Sequence, residues 1–154
     1  MPIHNLKPQP ELTAGSRTQS RFKNFQELLK ALQQTDLGQP VVEAINLKID
    51  ALNKFSGSEK EYRKALVNTE YKILQFLEKE HRIVPRNHYQ KRWLALGMAV
   101  FGIPLGVAIG TALGNMAFIG VGIGMGLPIG MAIGAGLDQK ARKEGRQLEF
   151  EARI

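Results

Sequence analysis

The stretch from Trp93 to Leu137, WLALGMAVFGIPLGVAIGTALGNMAFIGVGIGMGLPIGMAIGAGL, runs for 45 residues without an Asp, Glu, Lys or Arg, and the remainder of the chain carries every charge. A helix needs about 20 apolar residues to cross the hydrocarbon core of a bilayer. This run is too long for one crossing and fits two with a tight turn. Gly114-Asn115-Met116-Ala117 is the expected turn, because Gly and Asn end helices and connections between antiparallel helices are short. The two spans then cover 93–114 and 118–137.

Glycine recurs in this run at helical spacing. Gly102, Gly106, Gly110 and Gly114 step by four, and so do Gly122, Gly126, Gly130 and Gly134. Lipid is as apolar as leucine, so helices in a bilayer associate through close packing, and small residues at this spacing let backbones approach. The segment Gly102–Gly110 also repeats as Gly126–Gly134, with six of nine positions identical. Consecutive spans run in opposite directions, which makes this a small inverted repeat. A fold about Met116 pairs residues whose numbers sum to 232: Gly102 with Gly130, Gly106 with Gly126, Gly110 with Gly122. Pro104 then meets Pro128 near the bilayer middle, and each proline removes a backbone donor and kinks its helix there. Gly120-Val121-Gly122-Ile123-Gly124-Met125-Gly126 alternates with a period of two. A lone strand in lipid would leave its backbone unpaired, which favours helix.

The net charge of +7 is unevenly placed. Residues 1–80 hold 12 basic and 10 acidic side chains, residues 81–92 contribute +4, and residues 138–154 add +1. Most of the excess therefore lies against the apolar run, where it marks a cytoplasmic flank and can be drawn to anionic lipid. Arg86, Lys91 and Arg92 precede the run, and Lys140, Arg142 and Lys143 follow it. With an uncharged turn, this places both termini in the cytoplasm. Tyr89 and Trp93 sit where interfacial aromatics belong. Membrane topology accounts for the basic stripe, so nucleic acid is not an expected partner.

Residues 1–19, with Pro2, Pro8, Pro10 and Gly15, read as a flexible tail. Met1–Lys7 lacks the apolar core of a secretory signal, so the internal segment is expected to direct insertion. Residues 20–84 read as a cytoplasmic unit of about three amphipathic helices. Phe22, Phe25, Leu28, Leu29 and Leu32 define the first helix. Val42, Ile45, Ile49 and Leu52 after Pro40 define the second. Ser58 with Glu61 is a capping-box pattern for the third, whose apolar face carries Tyr62, Leu66, Ile73, Phe76 and Leu77 and which ends before Pro85. Such a unit has a thin core and can present a helix face to a protein partner. Residues 85–92 read as a basic juxtamembrane linker and 138–154 as a charged cytoplasmic tail. The fold class expected is all-α: amphipathic helices followed by a two-helix transmembrane glycine-zipper hairpin.

Nothing points to an enzyme or a cofactor. With no cysteine, disulfides, thiolate metal sites and lipidated cysteines are excluded. No glycine pair continues as a dinucleotide fingerprint or a phosphate loop. Glu78 and His81 give half of a carboxylate–histidine metal motif without a second copy, so no metal is expected.

Over residues 84–150 the chain resembles a bacterial glycine-zipper family of uncharacterised membrane proteins. The matching features are Val84-Pro85-Arg86-Asn87-His88-Tyr89, the Gly-Leu/Ile-Pro-Leu/Ile-Gly repeats, Gly136-Leu137-Asp138-Gln139-Lys140-Ala141 and Gly145-Arg146-Gln147-Leu148. The resemblance implies a membrane element, here in the bacterial inner membrane, and supplies no catalytic or ligand residue. The expected function is a homo-oligomeric membrane protein whose hairpin anchors a cytoplasmic interaction module. The alternative is a pore-forming or membrane-disrupting effector, a toxin or a defence protein. An aqueous lumen wants polar lining, and the spans offer Thr111 and Asn115.

Overall fold

Phe22, Phe25, Leu28, Leu29 and Leu32 lie on one face of α1 (Arg17–Gln33), and all five are buried. The Ser16 hydroxyl accepts from the Gln19 N–H at 3.1 Å and caps the helix start. Pro40 occupies the first turn of α2 (Gln39–Asn53), where its missing N–H has no intrahelical partner to lose. That helix buries Val41, Val42, Ile45, Ile49 and Leu52. The capping box expected at Ser58 opens α3 (Glu59–His81): the Ser58 N–H donates to Glu61 Oε2 at 2.9 Å. Tyr62, Leu66, Ile73 and Leu77 are buried, and Phe76 packs partly buried at the edge of the same core.

The computed structural model describes residues 2–7 and 16–152, and the chain forms an all-α fold of two units. The first unit comprises Met1–Val84 and Leu148–Ile154; the second comprises Pro85–Gln147.

Two segments join the first core where the sequence suggested only tails. Residues 2–7 bury Ile3 and Leu6. They are held by a polar row on α2 at helical spacing. Asn46 accepts from the His4 N–H at 2.8 Å and donates to the Pro2 carbonyl at 3.0 Å. Asn53, two turns on, accepts from the Lys7 N–H at 2.9 Å and donates to the Asn5 carbonyl at 3.1 Å. Between them, the Asp50 carboxylate meets the His4 ring at 2.9 Å. Each amide thus satisfies one donor and one acceptor of an extended strap that has no ladder of its own. The expectation of a flexible tail over residues 1–19 fails for 2–7, and residues 17–19 are already helical. Met1 and residues 8–15 lie outside the described residues.

The charged tail expected at 138–154 is also corrected. The last long helix continues to Lys143, because Lys140, Arg142 and Lys143 suit the negative end of a helix dipole. Beyond it, Leu148, Phe150 and Ala152 alternate as in a strand and are buried in the first unit's core. Where the chain leaves that unit and returns to it, β1 (Val84–Pro85) pairs with β2 (Gln147–Leu148).

Inside the first unit, α1 and α3 share one buried polar contact: Asn24 Nδ2 donates to Glu70 Oε1 at 3.1 Å. Burial pushes the Glu70 carboxyl above its ordinary range, while this bond and the nearby Arg21 charge pull the other way.

The second unit contains α4 (His88–Leu96), a π-helical turn (Gly97–Gly102), α5 (Ile103–Ala112), a 3₁₀ turn (Met116–Phe118) and α6 (Ile119–Lys143). Helix therefore starts at His88, inside the segment read as a linker, and not at Trp93. His88–Ala112 and Met116–Lys143 are each long and apolar enough to cross a membrane, with mean hydropathy 1.9. The reversal falls where expected and has a defined form. Gly114 adopts the left-handed region, φ +66°; its N–H donates to the Thr111 carbonyl at 3.3 Å, and the Asn115 N–H donates to that of Gly110 at 2.9 Å. These two bonds make a Schellman stop. The Asn115 side chain then accepts from the Ala117 N–H at 2.9 Å and starts the return.

The C-terminal strand's place in the first core makes a direct prediction. Phe150→Ala should destabilise α1–α3 by about 3–5 kcal/mol, the usual range for emptying a buried phenyl site. Hydrogen exchange of the α1 and α3 amides reads this; unchanged protection would show that the strand only lies on the surface.

Candidate functional site

The second unit is organised by backbone contact. A methyl group added at Gly126 would lie 2.5 Å from the Gly97 carbonyl oxygen and 2.6 Å from the Gly102 nitrogen. One at Gly106 would lie 2.6 Å from the Ile119 Cα, and one at Gly134 would lie 2.5 Å from the Gln90 Cα. At Gly122 it would run into the backbone of Gly102 and Gly106, and at Gly130 into the Trp93 carbonyl. These separations leave no space for any side chain, so glycine is required at each by contact and not by backbone angle. The neighbours are main-chain atoms, which cannot turn aside as a flexible side chain would.

Gly102, Gly106, Gly122, Gly126, Gly130 and Gly134 therefore form one continuous seam. Gly110 lies at its open end, where an added methyl would sit 3.2 Å from the Asn115 carbonyl. Gly114 is not a seam residue: nothing approaches it, and its role is the turn. Its place is taken by Gly97, which counting in fours from Gly102 passes over. Five residues separate Gly97 from Gly102, which in a regular α-helix would turn the two to different sides. The π-helical turn between them, with the Ile103 N–H donating to the Met98 carbonyl five residues back, absorbs the extra residue and returns Gly97 to the seam.

The register differs from the expected one by one to two helical turns. Gly122 lies against Gly102 and Gly106, and Gly126 against Gly97 and Gly102, where the expected partners were Gly110 and Gly106. The Schellman stop ends the first arm ahead of Met116, and every pairing moves toward the start of that arm. Pro104 and Pro128 consequently do not share a layer. They also differ locally. Pro104 follows the π-helical turn directly, whereas Pro128 lies within an uninterrupted α6. The two copies of the repeat therefore begin on different backbones.

At the far end of the seam, Asp138 supplies a contact that sequence reading missed. It is buried on α6, and its carboxylate accepts from the Tyr89 N–H at 3.1 Å and the Gln90 N–H at 2.9 Å. Those donors belong to the first turn of α4, so the carboxylate caps that helix from across the pair and meets its positive dipole end. The available signal was position alone: Asp138 is the first charge after the apolar run. The expected interface residues fall near this end of the same unit. Tyr89 contributes its backbone to the cap, and its side chain interacts with Arg146, which is hydrogen-bonded to Glu144. Lys91, Arg92, Lys140, Arg142 and Lys143 are exposed, and Trp93 is half-buried with its carbonyl on the seam. Arg86 precedes the helix.

Thr111 and Asn115 are occupied locally. The Thr111 hydroxyl bonds to the Val107 and Ala108 carbonyls at 2.9 and 3.0 Å, and Asn115 caps the 3₁₀ turn. Among the described residues, no three His, Asp or Glu side chains gather as metal ligands. Comparison of the chain with protein-family models, with curated proteins and with solved structures gives no match.

The seam makes a position-specific prediction within one helix. Gly122→Ala and Gly126→Ala should separate the helices, whereas Gly124→Ala and Gly136→Ala, with nothing near them, should be tolerated and raise helix stability by roughly 0.5–1 kcal/mol. A disulfide introduced across the pair in the cysteine-free chain reports closure. Equal behaviour of the two sets would show that the seam does not hold the helices together.

Proposed function

We propose that the second unit is a transmembrane hairpin closed by a glycine zipper. It anchors the first unit, a helical interaction module, at the cytoplasmic face of a membrane, and the chain assembles with copies of itself. The carrying observation is where the exposed apolar surface lies. Of sixteen exposed large apolar side chains among the described residues, only Leu47, Val67 and Tyr71 belong to the first unit; the other thirteen fall between Leu94 and Met131. Only 22% of the most apolar stretch of His88–Ala112 and 17% of that of Met116–Lys143 is buried. A core helix of a water-soluble protein is mostly covered, and soluble monomers rarely expose contiguous apolar surface on this scale. Here glycine is inside and Leu, Val, Ile and Met are outside, which suits lipid as the surrounding solvent.

The first unit supports the topology. Leu148, Phe150 and Ala152 share a core with α1–α3, so residues 84 and 148 belong on one side of any membrane and the segment between them crosses an even number of times. The basic flanks assign that side to the cytoplasm. Outward-facing Gly120, Gly124 and Gly136 leave room for a second copy to approach. The resemblance to glycine-zipper membrane proteins agrees with this reading and with a bacterial inner-membrane location. The pore-forming alternative is less favoured, because the polar side chains a lumen would use are turned onto their own backbone.

Reporter fusions test the topology. Fusions at residue 87 and at the C-terminus should both report cytoplasm, and one at residue 116 the opposite compartment. A C-terminal reporter on the side opposite residue 87 would mean an odd number of crossings and end the proposal.

A further inference from the structure

A cleft of about 510 Å³ opens between α1 and α3, wholly within the first unit. Arg17, Ser20 and Arg21 line it from α1, at positions one turn apart. Arg63, Lys64, Val67 and Asn68 line it from α3. Residues 1–80 contain three arginines, and all three are here. That segment is nearly neutral as a whole, yet four of its twelve basic side chains converge on one cleft that, among the described residues, no acidic side chain lines. Glu70 acts on Arg21 from its buried position, where it also accepts from Asn24, and Glu61 acts on Lys64 from the start of α3.

The placement works against helix stability. Arg17 is the first residue of α1, whose first turn has no acidic side chain. Cations near a helix N-terminus oppose the dipole. The Asn24–Glu70 bond and the shared cleft show α1 and α3 running the same way, and on α3 Glu59 and Glu61 already occupy the first turn ahead of Arg63 and Lys64. An anion in the cleft relieves the repulsion at the start of α1.

We infer that this cleft binds a phosphate-bearing anion, either a soluble phosphate compound or the headgroup of an anionic phospholipid. Guanidinium groups pair bidentately with phosphate oxygens, and Ser20 and Asn68 add neutral hydrogen-bonding groups. The volume falls in the range of small-ligand sites. Among the described residues, Val67 is the one apolar lining side chain, and no aromatic ring lines the cleft on which a base could stack. Recognition is therefore of the phosphate.

The test uses the full chain in nonionic detergent at physiological salt, so that it reads the cleft whether or not the hairpin inserts. Pyrophosphate is titrated calorimetrically, with and without phosphatidic acid in the micelles. Saturable binding should weaken about tenfold or more in Arg17→Gln/Arg63→Gln, which removes two charged hydrogen-bond donors. It should persist in Lys72→Gln/Lys79→Gln, which removes two exposed charges elsewhere on α3. Arg63→Lys, which keeps the charge but loses the fork, should bind more weakly than wild type and more tightly than Arg63→Gln. Competition by phosphatidic acid identifies a lipid headgroup as the occupant; pyrophosphate binding unaffected by it identifies a soluble phosphate compound. Absence of saturable binding to either probe, or equal loss in both double variants, overturns the inference.

Discussion

Backbone-to-backbone approach along the glycine seam is the constraint on which the second unit depends. Once Gly122, Gly126, Gly130 and Gly134 lie against the main chain of the opposite arm, no large side chain can enter between the helices. Every Leu, Ile, Val and Met of the two arms is then directed outward or to the flanks. The unit has almost no side-chain core, and its cohesion comes from dispersion over closely matched backbones. In water such a pair would expose its apolar surface to the solvent that most disfavours it. In lipid the same surface carries no penalty, and close packing is the main attraction left between helices. The inside-out distribution and the seam are two consequences of one composition.

The first unit is held differently. Three amphipathic helices with a thin core gain an extended segment from each end of the chain: Ile3 and Leu6 from one, Leu148, Phe150 and Ala152 from the other. Small domains bury a small fraction of their surface, and these straps extend the core without adding a helix. The C-terminal strap also fixes both ends of the intervening 85–147 segment to one unit. A hairpin is the simplest path that leaves and returns in that way.

Much of this architecture was legible because it follows local rules. The faces of α1, α2 and α3, the Pro40 start, the Ser58–Glu61 cap and the Gly114–Asn115 turn are each set by neighbouring residues. The misreadings were non-local. Counting glycines in fours passed over Gly97, because a π-helical turn ahead of Pro104 changes the helical period for six residues. The pairing register depended on where in the turn the first arm ended and which residue took the left-handed conformation, and that choice moved every contact along the arms. Asp138 looked like the start of a charged tail, because its partners, the Tyr89 and Gln90 amides, are 49 and 48 residues away. The straps at 2–7 and 148–152 are short and mixed in character, and only the core they meet explains them. Charge counted by segment likewise hid the cationic cleft, since α1 and α3 bring together arginines that are more than 40 residues apart in sequence.

Contact between lipid and the outer face of the helical pair can be read through the chain's single tryptophan. Trp93 lies near the start of the first arm, half-buried, with basic side chains immediately before it. The full chain is reconstituted into vesicles of phosphatidylcholine brominated at defined acyl-chain depths, and Trp93 fluorescence is recorded. A membrane-inserted hairpin gives strong quenching by lipid brominated close to the headgroup and weaker quenching by lipid brominated near the chain ends, as for an aromatic residue at the membrane interface. Fluorescence unchanged by bromine at every depth would place Trp93 in water or protein and contradict a membrane-inserted hairpin.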